Sequence, residues 1–252
     1  MNFLKDLVRK SKRARELKKC LENIGSTVHL DEMVGGAYSL YAALMVEQLK
    51  GVHIFVADDR DSAAYLVNDL YELLDEERVV FFASGYKRSV AYGSEDAQGL
   101  VRRTAALNAI TSFDKGYLVV CTYPEALVEA VADRQRLDEC SRHIAVGDTL
   151  VQAELVEWLA DSGFSRVDFV YEPGQYSVRG GIFDIFSYSE SKPYRLDFFD
   201  NEIESIRRFE LSSQLSNERL EVVDIISNIN RADVGRVSLA EFAEGATYWF
   251  ID

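Results

Sequence analysis

The chain has 252 residues, with 28 Lys or Arg against 42 Asp or Glu, a formal net charge of −14 and 48% hydrophobic residues. That length suits two domains better than a single core, and the apolar content with only three prolines excludes a disordered chain. No apolar run reaches the roughly 18 residues of a membrane span, and so acidic a body is a poor match for nucleic-acid phosphates, which are bound by neutralising Lys and Arg.

Charge is unevenly placed. Residues 1–19 hold Lys5, Arg9, Lys10, Lys12, Arg13, Arg15, Lys18 and Lys19 against Asp6 and Glu16, a net of +6 that leaves −20 for the rest. Phe3, Leu4, Leu7, Val8, Leu17 and Leu21 add partial amphipathicity, so residues 1–24 read as a basic leader helix with a solvated cationic face. No apolar signal segment follows the N-terminus. Cys20, Cys121 and Cys140 are few, odd in number and widely spaced, which fits a reducing, cytoplasmic setting. His29, His53 and His143 are equally scattered, and no metal site is expected from them.

Residues 25–133 alternate between strand and helix signals. Thr27–Leu30 reads as a short strand, Ala37–Leu49 as a helix, Val52–Ala57 as a buried strand and Asp61–Leu74 as a helix capped within Asp58–Asp61. Val79–Ala83 and Tyr117–Thr122 are further strands around a helix at Asp96–Phe113. Such alternation predicts an α/β domain with a parallel sheet covered on both faces, the layout of a RecA-like ATPase core.

A working phosphate loop in that core reads Gly-x-x-x-x-Gly-Lys-Ser/Thr, because backbone amides cradle phosphate, Lys neutralises it and the hydroxyl holds magnesium. Here the position reads Asp31-Glu32-Met33-Val34-Gly35-Gly36-Ala37-Tyr38. Gly35 and Gly36 remain, but Ala37 and Tyr38 stand where Lys and its hydroxyl neighbour belong, and Asp31-Glu32 adds negative charge. The loop reads as degenerate, and no nucleotide is expected on it. The acidic cluster Asp58, Asp59 and Asp61 sits at a strand-to-helix junction, where capping explains it better than metal binding. Gly-x-Ser-x-Gly is absent, and nothing rises to a catalytic proposal.

The charged stretch Ala132–Arg136 reads as the crossing into a second domain, residues 134–212, with a helix at Gln152–Ser162 followed by a β-rich stretch. Tyr176 and Val178 alternate with Ser177 and Arg179, the period of a half-buried strand. Beyond Gly180-Gly181, Phe183 and Ile185 take the core face if Asp184 faces water, so the parity must shift by one. A glycine pair inside a strand suits a bulge that does so. Arg179, Ile182, Asp184 and Phe186 would then share the outer face, a composition suited to protein binding. Tyr194, Leu196 and Phe198 alternate with Arg195 and Asp197 on the next strand, and a turn at Asp200-Asn201 leads to Ile203 and Ile206.

The ordered run Arg179-Gly180-Gly181-Ile182-Phe183-Asp184-Ile185-Phe186, then Tyr194-Arg195-Leu196-Asp197-Phe198-Phe199-Asp200-Asn201-Glu202-Ile203-Glu204-Ser205-Ile206-Arg207, resembles the second domain shared by UvrB and the transcription-repair coupling factors (Mfd). Phe209–Ser216 resembles the segment that leaves this domain in both, although Ser187 replaces a usual Pro and Leu215 a frequent Arg. The likeness extends more weakly over residues 25–252. It implies a RecA-like first domain with its ATPase loop lost and an inserted, β-rich UvrB-type (α+β) second domain. It also implies docking of UvrA, so that a polymerase stalled at a lesion is handed to excision repair. ATP, magnesium, RNA polymerase and DNA would then belong to downstream domains of a longer protein.

The candidate UvrA-binding residues are Arg179, Ile182, Phe186 and Arg195, with Arg166 as a weaker member. Arg is favoured because it pairs bidentately with carboxylates. UvrB carries a long, Tyr-rich, DNA-inserting hairpin where this chain has only Ser84–Ser94, with Tyr86, Lys87, Arg88 and Tyr92. Residues 213–252 are expected to return to the first domain and close with a strand at Ala246–Ile251. The alternative is a UvrB-like ATP-dependent DNA-damage helicase with an unusual nucleotide loop. A small-molecule α/β domain gives no reason for the Arg-Gly-Gly motif.

Overall fold

The computed structural model of the chain describes residues 2–22, 27–30, 33, 35–86, 96–229 and 236–251. In chain order these form α1 (Asn2–Arg9), α2 (Lys12–Leu21), α3 (Ala37–Leu49), β1 (Gly51–Ala57), α4 (Arg60–Leu73), β2 (Val79–Phe81), α5 (Ala97–Thr111), β3 (Tyr117–Thr122) and α6 (Pro124–Val128). There follow β4 (Val131–Ala132), α7 (Arg134–Glu139), β5 (Ser141–Ala145), α8 (Gln152–Asp161), β6 (Ser165–Arg166), β7 (Gln175–Arg179), β8 (Ile182–Ile185) and β9 (Tyr194–Phe199). The last elements are β10 (Glu202–Phe209), β11 (Ser216–Leu220), β12 (Val222–Ile226), β13 (Arg236–Val237), α9 (Leu239–Phe242) and β14 (Thr247–Ile251). Two units result, one of residues 1–83, 109–129 and 239–252, the other of residues 84–108 and 130–238.

The first unit is a mixed α/β body around a parallel sheet ordered β14-β1-β3-β2. Its central strands β1 and β3 are nearly continuous apolar runs because both their faces are buried. Ala42, Ala43 and Val46 of α3 and Leu66, Val67 and Leu70 of α4 pack on Phe55, Val119 and Cys121, while Ile54, Val56 and Val120 are buried on the opposite face. Asp59 caps α4 by accepting a 2.8 Å hydrogen bond from the Ser62 amide, the role its junction position implied.

Two expectations fail here. Thr27–Leu30 is not a strand of the sheet. The leader is two helices rather than one, because the Ser11 hydroxyl accepts from the Ala14 amide at 3.1 Å and starts α2 afresh. Nor is the leader's cationic side wholly solvated. Lys5 is buried, 2.8 Å from Glu47 Oε1 and donating to the Leu73 carbonyl, while Ala14 and Leu17 pack on Leu44 and Met45 of α3. The side chains of Phe3, Leu4 and Leu7 lie outside the described residues.

The second unit is built on a six-stranded sheet ordered β11-β10-β9-β8-β7-β6, antiparallel except for the β6–β7 pair. Leu155 and Leu159 of α8 lie over one face with Phe164, against Tyr176, Phe183, Ile185, Leu196 and Ile206. The β5–β12 ladder adds Ile144, Val223 and Ile225 to the same core.

That ladder corrects the expected return at residue 213, since β11 pairs with β10 and β12 with β5. The chain rejoins the first unit only from Leu239, and residues 84–108 belong with the second unit rather than the first. Strand pairing decides the boundary: apolar residues such as Val223 and Ile225 fill whichever core their ladder reaches. Residues 87–95, with Lys87, Arg88 and Tyr92, lie outside the described residues.

Candidate docking face

The face of the six-stranded sheet turned away from α8 collects most of the expected site residues. Gly180-Gly181 is not a bulge within one strand but the two-residue turn of a β7–β8 hairpin, with Arg179 opposite Ile182. Gly180 takes φ 60°, the left-handed value that Gly supplies at the first central position of a hairpin turn. At Gly181 a Cβ would stand 2.7 Å from the Phe198 carbonyl, so a side chain there would push β9 away. Opposite residues of an antiparallel pair share a face, and the predicted parity therefore follows from the turn.

Two cross-strand rows define the surface. The first runs Ser177, Asp184, Arg195, Arg207, Arg219 from β7 to β11, and the second runs Arg179, Ile182, Asp197, Ser205 from β7 to β10. Asp184 does not face water as expected. It is 1% exposed, beneath two arginines. Arg195 grips it side-on, Nε to Oδ1 at 2.6 Å and Nη2 to Oδ2 at 2.9 Å, and Arg179 Nη2 reaches Oδ2 at 2.5 Å. A buried carboxylate must be paired, and the two guanidiniums do this with charge-assisted bonds. Hydrogen bonding to Asp184 pushes the Arg195 guanidinium further above its ordinary range.

Arg179 also donates to Ser177 Oγ at 2.8 Å and to the Asp168 carbonyl at 3.0 Å, and its guanidinium lies over the Phe169 ring. Arg195 donates to the Gln214 carbonyl at 3.3 Å and lies 4.4 Å from the Phe209 ring centre. Asp197 accepts from Ser205 Oγ at 2.5 Å and from Arg207 Nη2. The arginines are thereby held flat on the sheet, with their rotamer entropy already spent before any partner arrives.

Ile182 remains 37% exposed between these groups, as a contact residue requires. Phe186 does not. It is 4% exposed, packed with Val170 and Phe209 beneath Val167 and Leu211, so it supports the face without presenting a surface. Large aromatics seek burial, and the segment from Arg166 to Tyr171 folds over this one. Arg166 is exposed but registers with Tyr176, whose ring faces α8, so it stands on the other side of the sheet from Arg179. Sequence reasoning missed Phe199, 72% exposed and on the outer parity of β9 with Arg195 and Asp197, and it missed Arg207 and Arg219. Strict alternation from Arg195 to Phe199 carried the signal for Phe199.

In the first unit a cleft of about 1260 Å³ opens beside Gly35, Tyr38, Asp58 and Trp249. Its described lining holds Asp58 and His29 but no Lys or Arg. Gly35 has φ 61° and Gly36 caps α3 without a side-chain bond, while residues 31, 32 and 34 lie outside the described residues. No described helix is long and apolar enough to cross a membrane.

The profile of the UvrB interaction domain family matches residues 143–230, which span the sheet and its arginine rows. The second unit thus carries a domain of that protein-interaction class. Across most of its length the chain is also similar to proteins named transcription-repair-coupling factor. The Escherichia coli protein is 28% identical over 197 residues, 78% of this chain and 17% of the relative. The Haemophilus influenzae protein is 30% identical over 201 residues, 80% and 17%, and the Bacillus subtilis protein 26% identical over 192 residues, 76% and 16%. The chain is related to the coupling factors, as its Arg-Gly-Gly and Tyr-Arg-Leu-Asp-Phe-Phe motifs implied, and spans about a sixth of the length of these relatives.

Proposed function

We propose that the outer face of the second unit docks UvrA, and that the chain is a non-catalytic recruitment module in coupling stalled transcription to excision repair. The observation that carries the reading is the pairing of exposed Ile182 and Phe199 with arginines pre-set by buried Asp184. Rigid arginines beside exposed apolar and aromatic groups make the composition of an interface hot spot. The match to the UvrB interaction domain and the coupling-factor relatives support the same partner. RNA polymerase and DNA are proposed as partners of a longer protein through other domains.

The first unit is read as a RecA-like scaffold that has lost its nucleotide role. A triphosphate needs cations, and Asp58, with no Lys or Arg between Gly36 and Lys50, supplies the opposite. The helicase alternative requires this cleft to bind ATP and magnesium, a cofactor pair assigned here to other parts of a longer protein.

The test is a calorimetric titration of UvrA into the intact chain and into Ile182→Ala and Phe199→Ala. Each substitution is expected to weaken binding by at least about tenfold, the effect of a hot-spot residue. Unchanged affinity in both folded variants would remove this face from the site. Micromolar binding of ATP with magnesium in a parallel titration would favour the helicase reading.

A further inference from the structure

The row Arg195, Arg207, Arg219 sets three arginines directly opposite one another on β9, β10 and β11. Like charges so placed oppose sheet formation, so the fold gains nothing from setting Arg219 opposite Arg207. Counter-charge is short, because among the described residues Arg179, Arg195 and Arg207 share ion pairs with Asp184 and Asp197 alone. The Arg219 side chain is exposed and makes no ion pair or hydrogen bond among the described residues, where Arg207 Nε is also buried without an acceptor. This cationic strip occurs in a chain of net charge −14. Residues that break a local rule without benefit to the fold point to a partner.

We propose that the arginine row receives one acidic helix of the docking partner, laid across β9, β10 and β11 with its carboxylates facing the three guanidiniums. The inference rests on the reading of this face as a docking surface and adds the chemistry and shape of what docks. Neighbouring strands lie about 4.8 Å apart, so the three arginines span about 10 Å. A helix rises about 1.5 Å per residue, which sets carboxylates at i, i+3 and i+7 about 4.5 and 10.5 Å along it. An extended strand repeats on one face at about 6.8 Å and falls out of step by the third arginine. The uncommitted planar fork of Arg219 takes a carboxylate through two parallel N–H bonds, while Arg195 and Arg207, already holding Asp184 and Asp197, add attraction through their remaining charge. A nucleic-acid strand fits less well, since it brings many phosphates toward an acidic body and finds few cations beyond this row.

The experiment titrates the intact chain with two labelled helical peptides of identical composition, followed by fluorescence anisotropy. One carries Glu at i, i+3 and i+7 on a single face, and the other spreads the same Glu residues around the helix. The striped peptide is expected to bind at least about tenfold more tightly. Arg219→Glu should abolish that preference while leaving the thermal midpoint unchanged or higher, and Arg219→Gln should reduce it. Equal binding of the two peptides overturns the proposal, as does a preference that survives Arg219→Glu, or tighter binding of a single-stranded oligonucleotide. UvrA titrated in parallel keeps the two readings apart. If it binds the intact chain and Arg219→Glu alike, docking stands and the acidic helix falls. If it binds neither, the UvrA reading falls and the peptide preference alone decides on the helix.

Discussion

Arg195 and Asp184 face each other across β9 and β8 and share a two-pronged ion pair, with Nε to Oδ1 at 2.6 Å and Nη2 to Oδ2 at 2.9 Å. The carboxylate is out of water and the guanidinium is mostly so, which makes this pair part of the fold as well as of the candidate interface. Removing Arg195 leaves Asp184 with only Arg179, and removing Asp184 leaves two arginines crowded on one face. Arg195→Ala and Asp184→Ala should each cost about 2–3 kcal/mol, less than a fully buried pair because the arginines reach solvent. A double-mutant cycle in urea should show coupling above about 1 kcal/mol. Additive losses would mean that the pair is held by the scaffold without contributing to it.

Phe186 should behave as a core residue. Phe186→Ala is expected to cost about 3–4 kcal/mol through the cavity left between Val170 and Phe209. UvrA affinity, measured on the folded fraction, should change much less than in Phe199→Ala. A neutral effect on the denaturation midpoint would contradict the burial.

Ile182 and Phe199 should show the reverse pattern. Both are exposed on strands, so truncation to Ala should move stability by no more than about 0.5 kcal/mol. Denaturation curves that overlay the parent, beside a lost calorimetric signal with UvrA, are the expected pair of results. Coincident losses of stability and binding would point to indirect damage.

His53 gives the first unit a sensitivity to acid. Its ring is fully buried, accepts at Nδ1 from Trp249 Nε1 at 3.2 Å and, as the neutral tautomer, donates from Nε2 to the Lys50 carbonyl at 2.9 Å. Burial pushes its pKa down to about 4, and the Lys50 hydrogen bond only partly opposes this. Between that value and the ordinary 6.5 the unfolded chain binds a proton that the folded one refuses, so stability is complete above pH 6.5 and falls with acidification. The slope should approach about 1.4 kcal/mol per pH unit within that window. Thermal midpoints across the range should show it for the parent chain and a weaker slope for His53→Leu.

Local pattern makes much of this molecule legible in the sequence alone. Period-two alternation placed Tyr176, Val178, Phe183 and Ile185 on one face and Arg179, Ile182 and Arg195 on the other, because side-chain direction in a strand depends only on the chain itself. Helical spacing similarly marked α3 and α4, and the ordered Arg-Gly-Gly and Tyr-Arg-Leu-Asp-Phe-Phe motifs carried the kinship. Tertiary structure alone decided what covers what. Phe186 has the outer parity of Ile182, yet it is buried because Val170 arrives from a distant stretch of chain. Asp184 was assigned to water by its charge, yet it is buried because two arginines from other positions converge on it. The ladder that keeps β12 in the second unit pairs Val222 with Ala145, residues far apart in sequence. Burial and register are properties of the neighbour as much as of the residue, and no single stretch of sequence names its neighbours.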